Sequence, residues 1–197
     1  MDTDKHGLDH AKAKLRSEIR GGLKNLSSEK RASDSVKVRA LLPQQPFWKT
    51  ADTILFFAPL PGELDLWPML EETLAGGKFV ALPCFDPDKL LYTPRRVTNL
   101  HEQLVSGRFG IREPAANCTE IPLADLDLVL VPGITFDLQG HRLGRGKGFY
   151  DRLLANFGGT KIGIAFDEQL VEVIPTENQD VQMGFILTPT RCVKCDE

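Results

Sequence analysis

The feature that most constrains this chain is a buried strand followed closely by a glycine loop. Leu126-Asp-Leu-Val-Leu-Val131 is the clearest apolar run in the sequence, and Gly140-His-Arg-Leu-Gly-Arg-Gly-Lys-Gly-Phe-Tyr-Asp-Arg152 comes a short connection later. A continuous apolar run bounded by turn residues reads as a strand covered on both faces. Gly140, Gly144, Gly146 and Gly148 let the backbone take positive φ and approach a ligand closely. Tyr150, Leu153, Leu154 and Phe157 then fall at i, i+3, i+4 and i+7, which predicts a helix from about Lys147 to Asn156. Strand, glycine loop and helix start bring free N–H groups, a dipole end and the cations Arg142, Arg145 and Lys147 to one point, which suits a phosphate.

The rest of the chain supports the same architecture. Leu8, Ala11, Leu15, Ile19, Leu23 and Leu26 recur at helical spacing, weakened by Gly21 and Gly22, and a second helix fits about Ser28 to Leu42, ending before Pro43. Apolar runs predict strands at 53–57, at 78–82 with Pro83 as the stop, at 90–93, at 161–166 and near 185–188. Helices are expected at 65–75 and, briefly, at 98–104. Residues 107–124 read as a long connection, and 190–197 as a solvated tail. Strands alternating with helices predict an α/β protein, a single domain over 1–197 with a mainly parallel, Rossmann-like sheet flanked by helices. The N-terminal helical pair, 8–42, is expected to pack on that core.

Composition narrows the class. The chain has 197 residues with 24 Lys plus Arg against 27 Asp plus Glu, a formal charge of −3, which argues against wholesale coating of nucleic acid. A 42% hydrophobic fraction is enough for a real core. The longest apolar stretch, Ile54 to Pro61, is far short of the roughly 20 residues that span a bilayer. The charged N-terminus does not read as a secretory signal. Cys84, Cys118, Cys192 and Cys195 are then expected as reduced thiols in a cytoplasmic protein.

The glycine loop matches neither the Walker nor the dinucleotide spacing. Its residues alone leave open a flexible surface turn with solvated charges. Asp151 suits ordinary dipole pairing in a first helical turn or, beside a bound polyphosphate, a magnesium ligand. Lys12 and Arg16 flank the apolar stripe of the first helix, where they fit anion ligands across a cleft or a solvated basic face with Lys14 and Arg20. Glu63 follows the first buried strand and could accept substrate N–H groups, and Asp65 could cap the next helix. Cys192-Val-Lys-Cys195 lacks the further ligands of a zinc site. His6, His10 and His101 show no catalytic spacing.

Together, Leu130-Val-Pro-Gly-Ile-Thr-Phe-Asp137 and the glycine segment closely resemble the signature of the 5-formyltetrahydrofolate cyclo-ligase (5,10-methenyltetrahydrofolate synthetase) family. Lys12-x-x-Leu15-Arg16, Glu63-Leu-Asp65, Phe109-Gly-Ile-x-Glu-Pro114, Ala165-Phe-x-x-Gln169 and Pro175-x-Glu-x-x-Asp180 match further elements in the right order. Phe149 stands where many members carry Tyr, Gln179 where His is frequent, Met183-Gly184 where a further Asp is common, and Pro189 where Thr-Glu is usual.

The resemblance implies an ATP site built from Lys12, Lys14, Arg16 and residues Arg142, Leu143, Gly144, Arg145, Gly146, Lys147, Gly148, Phe149 and Tyr150. It implies Asp151 and Asp180 as magnesium carboxylates, and Glu63 with Arg145, Gly146, Lys147, Gly148 and Phe149 toward folate. The expected activity is ATP- and Mg²⁺-dependent cyclisation of 5-formyltetrahydrofolate to 5,10-methenyltetrahydrofolate, with Arg142, Arg145 and Lys147 stabilising the transferring phosphoryl group. A monomer acting on small molecules, without nucleic acid or membrane, is expected. The rivals are another ATP-dependent or phosphate-ester enzyme on a related fold, a non-catalytic module that binds nucleotide or RNA phosphates through the same loop, and, more distantly, a zinc module.

Overall fold

The computed structural model describes residues 2–107 and 110–195. Helices α1 (Asp2–Lys24), α2 (Ser28–Leu41) and α3 (Pro46–Thr50) precede strand β1 (Thr53–Leu55). Next come α4 (Trp67–Ala75), β2 (Phe79–Asp86), β3 (Leu91–Val97), β4 (Leu104–Ser106) and β5 (Arg112–Pro114). The second half runs β6 (Leu128–Pro132), β7 (Thr135–Asp137), β8 (Arg142–Leu143), α5 (Phe149–Leu154), β9 (Thr160–Ile164), β10 (Leu170–Val171), β11 (Phe185–Leu187) and β12 (Cys192–Lys194).

The main sheet has the order β12-β11-β9-β6-β1-β2-β3. Its inner strands are parallel, and both edge strands, β3 and β12, run antiparallel. The expected mainly parallel α/β sheet is present. β6 shows why its sequence is apolar without alternation. Leu128 and Leu130 pack on one face with Val38, Leu42, Trp48, Met69 and Leu70, while Val129 and Val131 pack on the other with Leu153, Leu154 and Phe157. All four strand residues are fully buried, so Leu130→Ala would cost about 2–5 kcal/mol.

From β1 the chain moves to β2 on one side and later returns to β6 on the other. The segments leaving β1 and β6 therefore part at the carboxyl end of the sheet, where open α/β sheets bind ligands. At the other end, Asp127 Oδ2 accepts from Asp52 N and Thr53 N at 2.8 and 2.9 Å, tying the starts of β1 and β6 together.

Several expectations fail for local reasons. Pro83 does not stop β2. Its missing N–H points to the β1 side, where the next ladder bond to Phe56 O would fall, so pairing with β1 stops after Leu55↔Ala81 while pairing with β3 is untouched. The strand continues to Asp86 against a β3 longer than expected, with Pro83 opposite Pro94. The helix expected at 98–104 is a turn leading into β4. Asn99 Oδ1 accepts from His101 N and Glu102 N, and Gln103 Oε1 accepts from Thr98 N and Asn99 N. These local side-chain bonds replace helical ones.

The expected connection at 107–124 contains β5, paired antiparallel with β4. The expected solvated tail instead turns back through Thr188 N to Arg191 O and forms β12 against β11. Cys195 is buried there, and residues 196–197 lie outside the described residues. Among the described residues no disulfide joins any of the four cysteines. No helix among the described residues is long and apolar enough to cross a membrane.

Candidate active site

Between β6 and the glycine loop the chain inserts a hairpin of β7 and β8, which the sequence reading passes over as a short connection. Asp137, fully buried, organises it: Oδ1 accepts from Gln139 N and His141 N, and Oδ2 from Ile174 N and the His141 ring. Gln169 braces the other side. Its Nε2 donates to Gly133 O and Ile134 O at 2.8 and 3.0 Å, and its Oε1 accepts from Phe166 N. Gly133 is needed because a Cβ there would lie 2.6 Å from the Phe136 ring.

The hairpin sends Arg142 inward. Its Nη2 donates to Asp151 Oδ1 at 2.8 Å, its guanidinium sits 5.6 Å from the Tyr150 ring centre, and its side chain is 4% exposed. Burial pushes the Tyr150 phenol up. Gly144 leaves room for this arrangement, since an added Cβ would come within 2.6 Å of Arg142 Nη1. Arg142 Nε is buried without a hydrogen-bond acceptor, an unfilled donor inside the site. Leu143 does not line the site with its side chain, which is buried in the core, and its carbonyl accepts from Ile134 N.

Beyond Gly144 the loop opens. Arg145 Nη2 donates to Glu63 Oε1 at 2.7 Å, so the segment after β6 touches the segment after β1 across the crevice. Glu63 Oε2 is held by Leu60 N at 2.9 Å. Gly146 and Lys147 are exposed, and Gly148 begins α5 with φ of 62°. Because α5 has only 6 residues, shorter than expected, cationic side chains carry the positive charge here more than a helix dipole does. Phe149 packs edge-on against Phe85 and Tyr92 at 5.3 and 5.2 Å, and Arg152 stacks on it at 5.1 Å.

Helix α1 forms the far wall. Arg16 Nε donates to Gly144 O at 2.9 Å. Its pKa is lowered, first by burial and then by neighbouring Arg20. Lys12, one turn earlier, is buried and holds Glu177 Oε2 and Asp180 Oδ2, each at 2.9 Å. Burial pulls the Lys12 ammonium down, but the bonds to the two carboxylates outweigh it and leave its pKa raised. Lys14 is not brought in. It points outward with a 70% exposed side chain, 3.9 Å from Glu18, because two residues along a helix turn it to another face.

The structure thus gathers Lys12, Arg16, Glu63, the glycine loop, Asp151 and Asp180 about one crevice. Glu177 was quoted in the sequence only as part of a motif and given no role; its spacing from Asp180 was the available signal. The two expected metal carboxylates bind different cations, Asp151 with Arg142 and Asp180 with Lys12. Among the described residues no group of three or more His, Cys, Asp or Glu side chains is placed to enclose a metal ion, the Cys192 and Cys195 thiols included. A cavity of about 1020 Å³ opens at the opposite end of the sheet, beside Asp127, Thr160 and Phe185, and contains none of these groups.

Fold and site together define an α/β protein with a cation-lined, glycine-walled crevice at its switch point, suited to a polyanionic ligand. The profile of the 5-formyltetrahydrofolate cyclo-ligase family matches residues 9–189, and the chain belongs to that family. It is 39% identical over 150 residues to the 5-formyltetrahydrofolate cyclo-ligase of Escherichia coli K12, covering 72% of this chain and 80% of that one. The Haemophilus influenzae enzyme of the same name is 33% identical over 180 residues, covering 88% and 95%. The solution structure of Aquifex aeolicus 5,10-methenyltetrahydrofolate synthetase superposes with a TM-score of 0.85 at 34% identity, covering 94% of this chain and 93% of that one.

Proposed function

We propose that this chain is a 5-formyltetrahydrofolate cyclo-ligase that uses ATP and Mg²⁺ to form 5,10-methenyltetrahydrofolate, releasing ADP and phosphate. The observation that carries the reading is the convergence of Lys12 and Arg16 from α1 with Arg142 and Arg145 of the glycine loop, in a member of this family. The unfilled Arg142 Nε supports an anionic ligand at this place, because a buried donor without an acceptor is costly until a ligand supplies one.

The chemistry needs no protein nucleophile. A formyl oxygen is a poor leaving group. In the proposed reaction it takes the γ-phosphoryl of ATP and ADP is released, N10 attacks the activated carbon and gives up its proton, and the C–O bond breaks with the phosphate leaving as hydrogen phosphate with that proton. Arg145 and Lys147, on the open part of the loop, would stabilise charge on the transferring phosphoryl group. Arg16 and Lys12 bind phosphates from the α1 wall. Glu63 and Phe149 face the folate side, and Arg142 orients Asp151.

The donor set suits a magnesium ion that arrives with nucleotide. Asp151 and Asp180 offer hard carboxylate oxygens, and Mg²⁺ takes one or two of these and completes its shell with phosphates and water. Asp151 and Asp180 would hold it, and when bound it neutralises phosphate charge. The test mixes purified protein with 5-formyltetrahydrofolate, ATP and Mg²⁺ at neutral pH and follows the near-ultraviolet absorbance of the methenyl product. A rise that requires ATP and vanishes in Asp151→Ala supports the reading. ATP binding without any rise replaces it with a nucleotide-binding role.

A further inference from the structure

The turn that carries Glu63 is closed on itself. Glu63 N donates to Leu60 O at 3.0 Å, and Leu60 N donates back to Glu63 Oε2 at 2.9 Å. Pro61 presets φ at the second position, and Gly62 takes φ of 91° at the third, which is type II geometry. Residues 60–63 therefore hold their own shape, and their place in the molecule is set from outside.

Two guanidinium groups reach this turn. Arg145 holds Glu63 Oε1 through an exposed ion pair, which a ligand can exchange. Arg31 of α2, which the mechanism above does not use, donates through Nη1 to Gly62 O, one residue before Glu63. The same group donates through Nη2 to Leu23 O and through Nε to Leu26 O at 3.3 Å, and it lies 5.5 Å from the centre of the buried Phe166 ring. Arg31 thus ties the end of α1, the turn after β1 and the segment after β9 to one point. Three carbonyls in different directions suit the separate N–H groups of a planar fork. Farther along α2, Ser35 Oγ accepts from Asp65 N at 2.9 Å and Arg39 Nη1 donates to Asp65 O at 2.7 Å. Spacings of four residues keep Arg31, Ser35 and Arg39 on one side of the helix, so α2 runs as a rail beneath residues 62–65.

We infer that Arg31 is a positioning residue for the cyclisation. It fixes the Gly62–Glu63 turn against the end of α1, so that the Glu63 carboxylate stays in place when Arg145 exchanges its partner. It touches no substrate and acts through Glu63. This rests on the folate reading proposed above.

The test measures kcat and KM for 5-formyltetrahydrofolate, and dissociation constants for it and for ATP, in wild type, Arg31→Ala and Arg31→Lys. Each is also made in a Glu63→Ala background. Arg31→Ala is expected to raise the folate KM about tenfold, with kcat and ATP affinity within about threefold of wild type. Arg31→Lys keeps the charge and the helix propensity and serves if the alanine variant fails to fold. Its single ammonium does not span the three carbonyls, so a rise of about threefold or more is expected. In the Glu63→Ala background either Arg31 substitution is expected to change folate affinity by less than about twofold, because the group it positions is gone. Equal losses in both backgrounds overturn the inference, since a merely structural role persists without Glu63. An unchanged folate KM in a folded single variant also overturns it, and so does a fall in kcat or ATP affinity that matches the rise in KM. Wild-type protein that binds ATP but neither binds nor converts the folate overturns the functional reading itself, whatever the variants do.

Discussion

Lys12 and Arg145 reach one crevice from opposite walls, and their ion pairs differ in kind. The Lys12 side chain is 8% exposed and holds two carboxylates from a segment 165 and 168 residues away. Arg145 is 59% exposed and holds one carboxylate across the opening. A partly buried pair is more expensive to break, because water only partly reaches the partner left behind, the Glu177 and Asp180 side chains being 25% and 19% exposed. An exposed pair contributes about 0–1 kcal/mol and exchanges readily with solvent or ligand. The α1 wall is therefore a structural clamp as well as the proposed phosphate site, whereas the loop wall leaves its cation able to exchange partners.

Substitutions should separate these roles. Lys12→Ala is expected to have the largest effect, lowering unfolding free energy by about 3 kcal/mol in urea melts and weakening ATP binding as well. A loss below about 1 kcal/mol would break the contrast. Arg145→Ala is expected to cut turnover by about 100-fold or more while changing stability by less than about 1 kcal/mol. Equal activity at saturating ATP and folate would remove Arg145 from the chemistry. Gly144→Ala should act through Arg142 alone, pushing its guanidinium off Asp151 and lowering turnover about tenfold with little change in melting. Lys14→Ala should leave both ATP affinity and turnover within about twofold of wild type, because its side chain faces away from the crevice.

The same contrast explains how much the sequence made readable. The loop wall was legible because Arg142, Arg145, Lys147 and Asp151 lie close together in the chain, between a buried strand and a helix start. The pairing of Arg142 with Asp151 was not foreseen, since the β7–β8 hairpin that aims Arg142 inward depends on Asp137 and Gln169 side chains bonding to backbone. For the α1 wall, helical spacing put Lys12 and Arg16 on one flank but could not distinguish a solvated face from a cleft. That distinction rests on Glu177 and Asp180, which no local pattern connects to Lys12. Lys14, which only the family resemblance places in the nucleotide site, has its side chain turned outward by helical rotation. In the fold, the buried parallel strands were readable from apolar runs, whereas β2 beyond Pro83, β5 and β12 exist only because partner strands supply their pairing.

Lys12 also has a consequence for the order in which the molecule assembles. Its bond to Asp180 joins residues 168 positions apart, among the most distant pairings the chain makes. Closing so wide a loop is entropically unfavourable until the intervening sheet already holds the ends near each other. The clamp is thus expected to form after the rate-limiting step. Lys12→Ala should then speed unfolding in stopped-flow measurements while leaving the folding rate nearly unchanged. The residue would govern how long the folded molecule lasts rather than how quickly it is made.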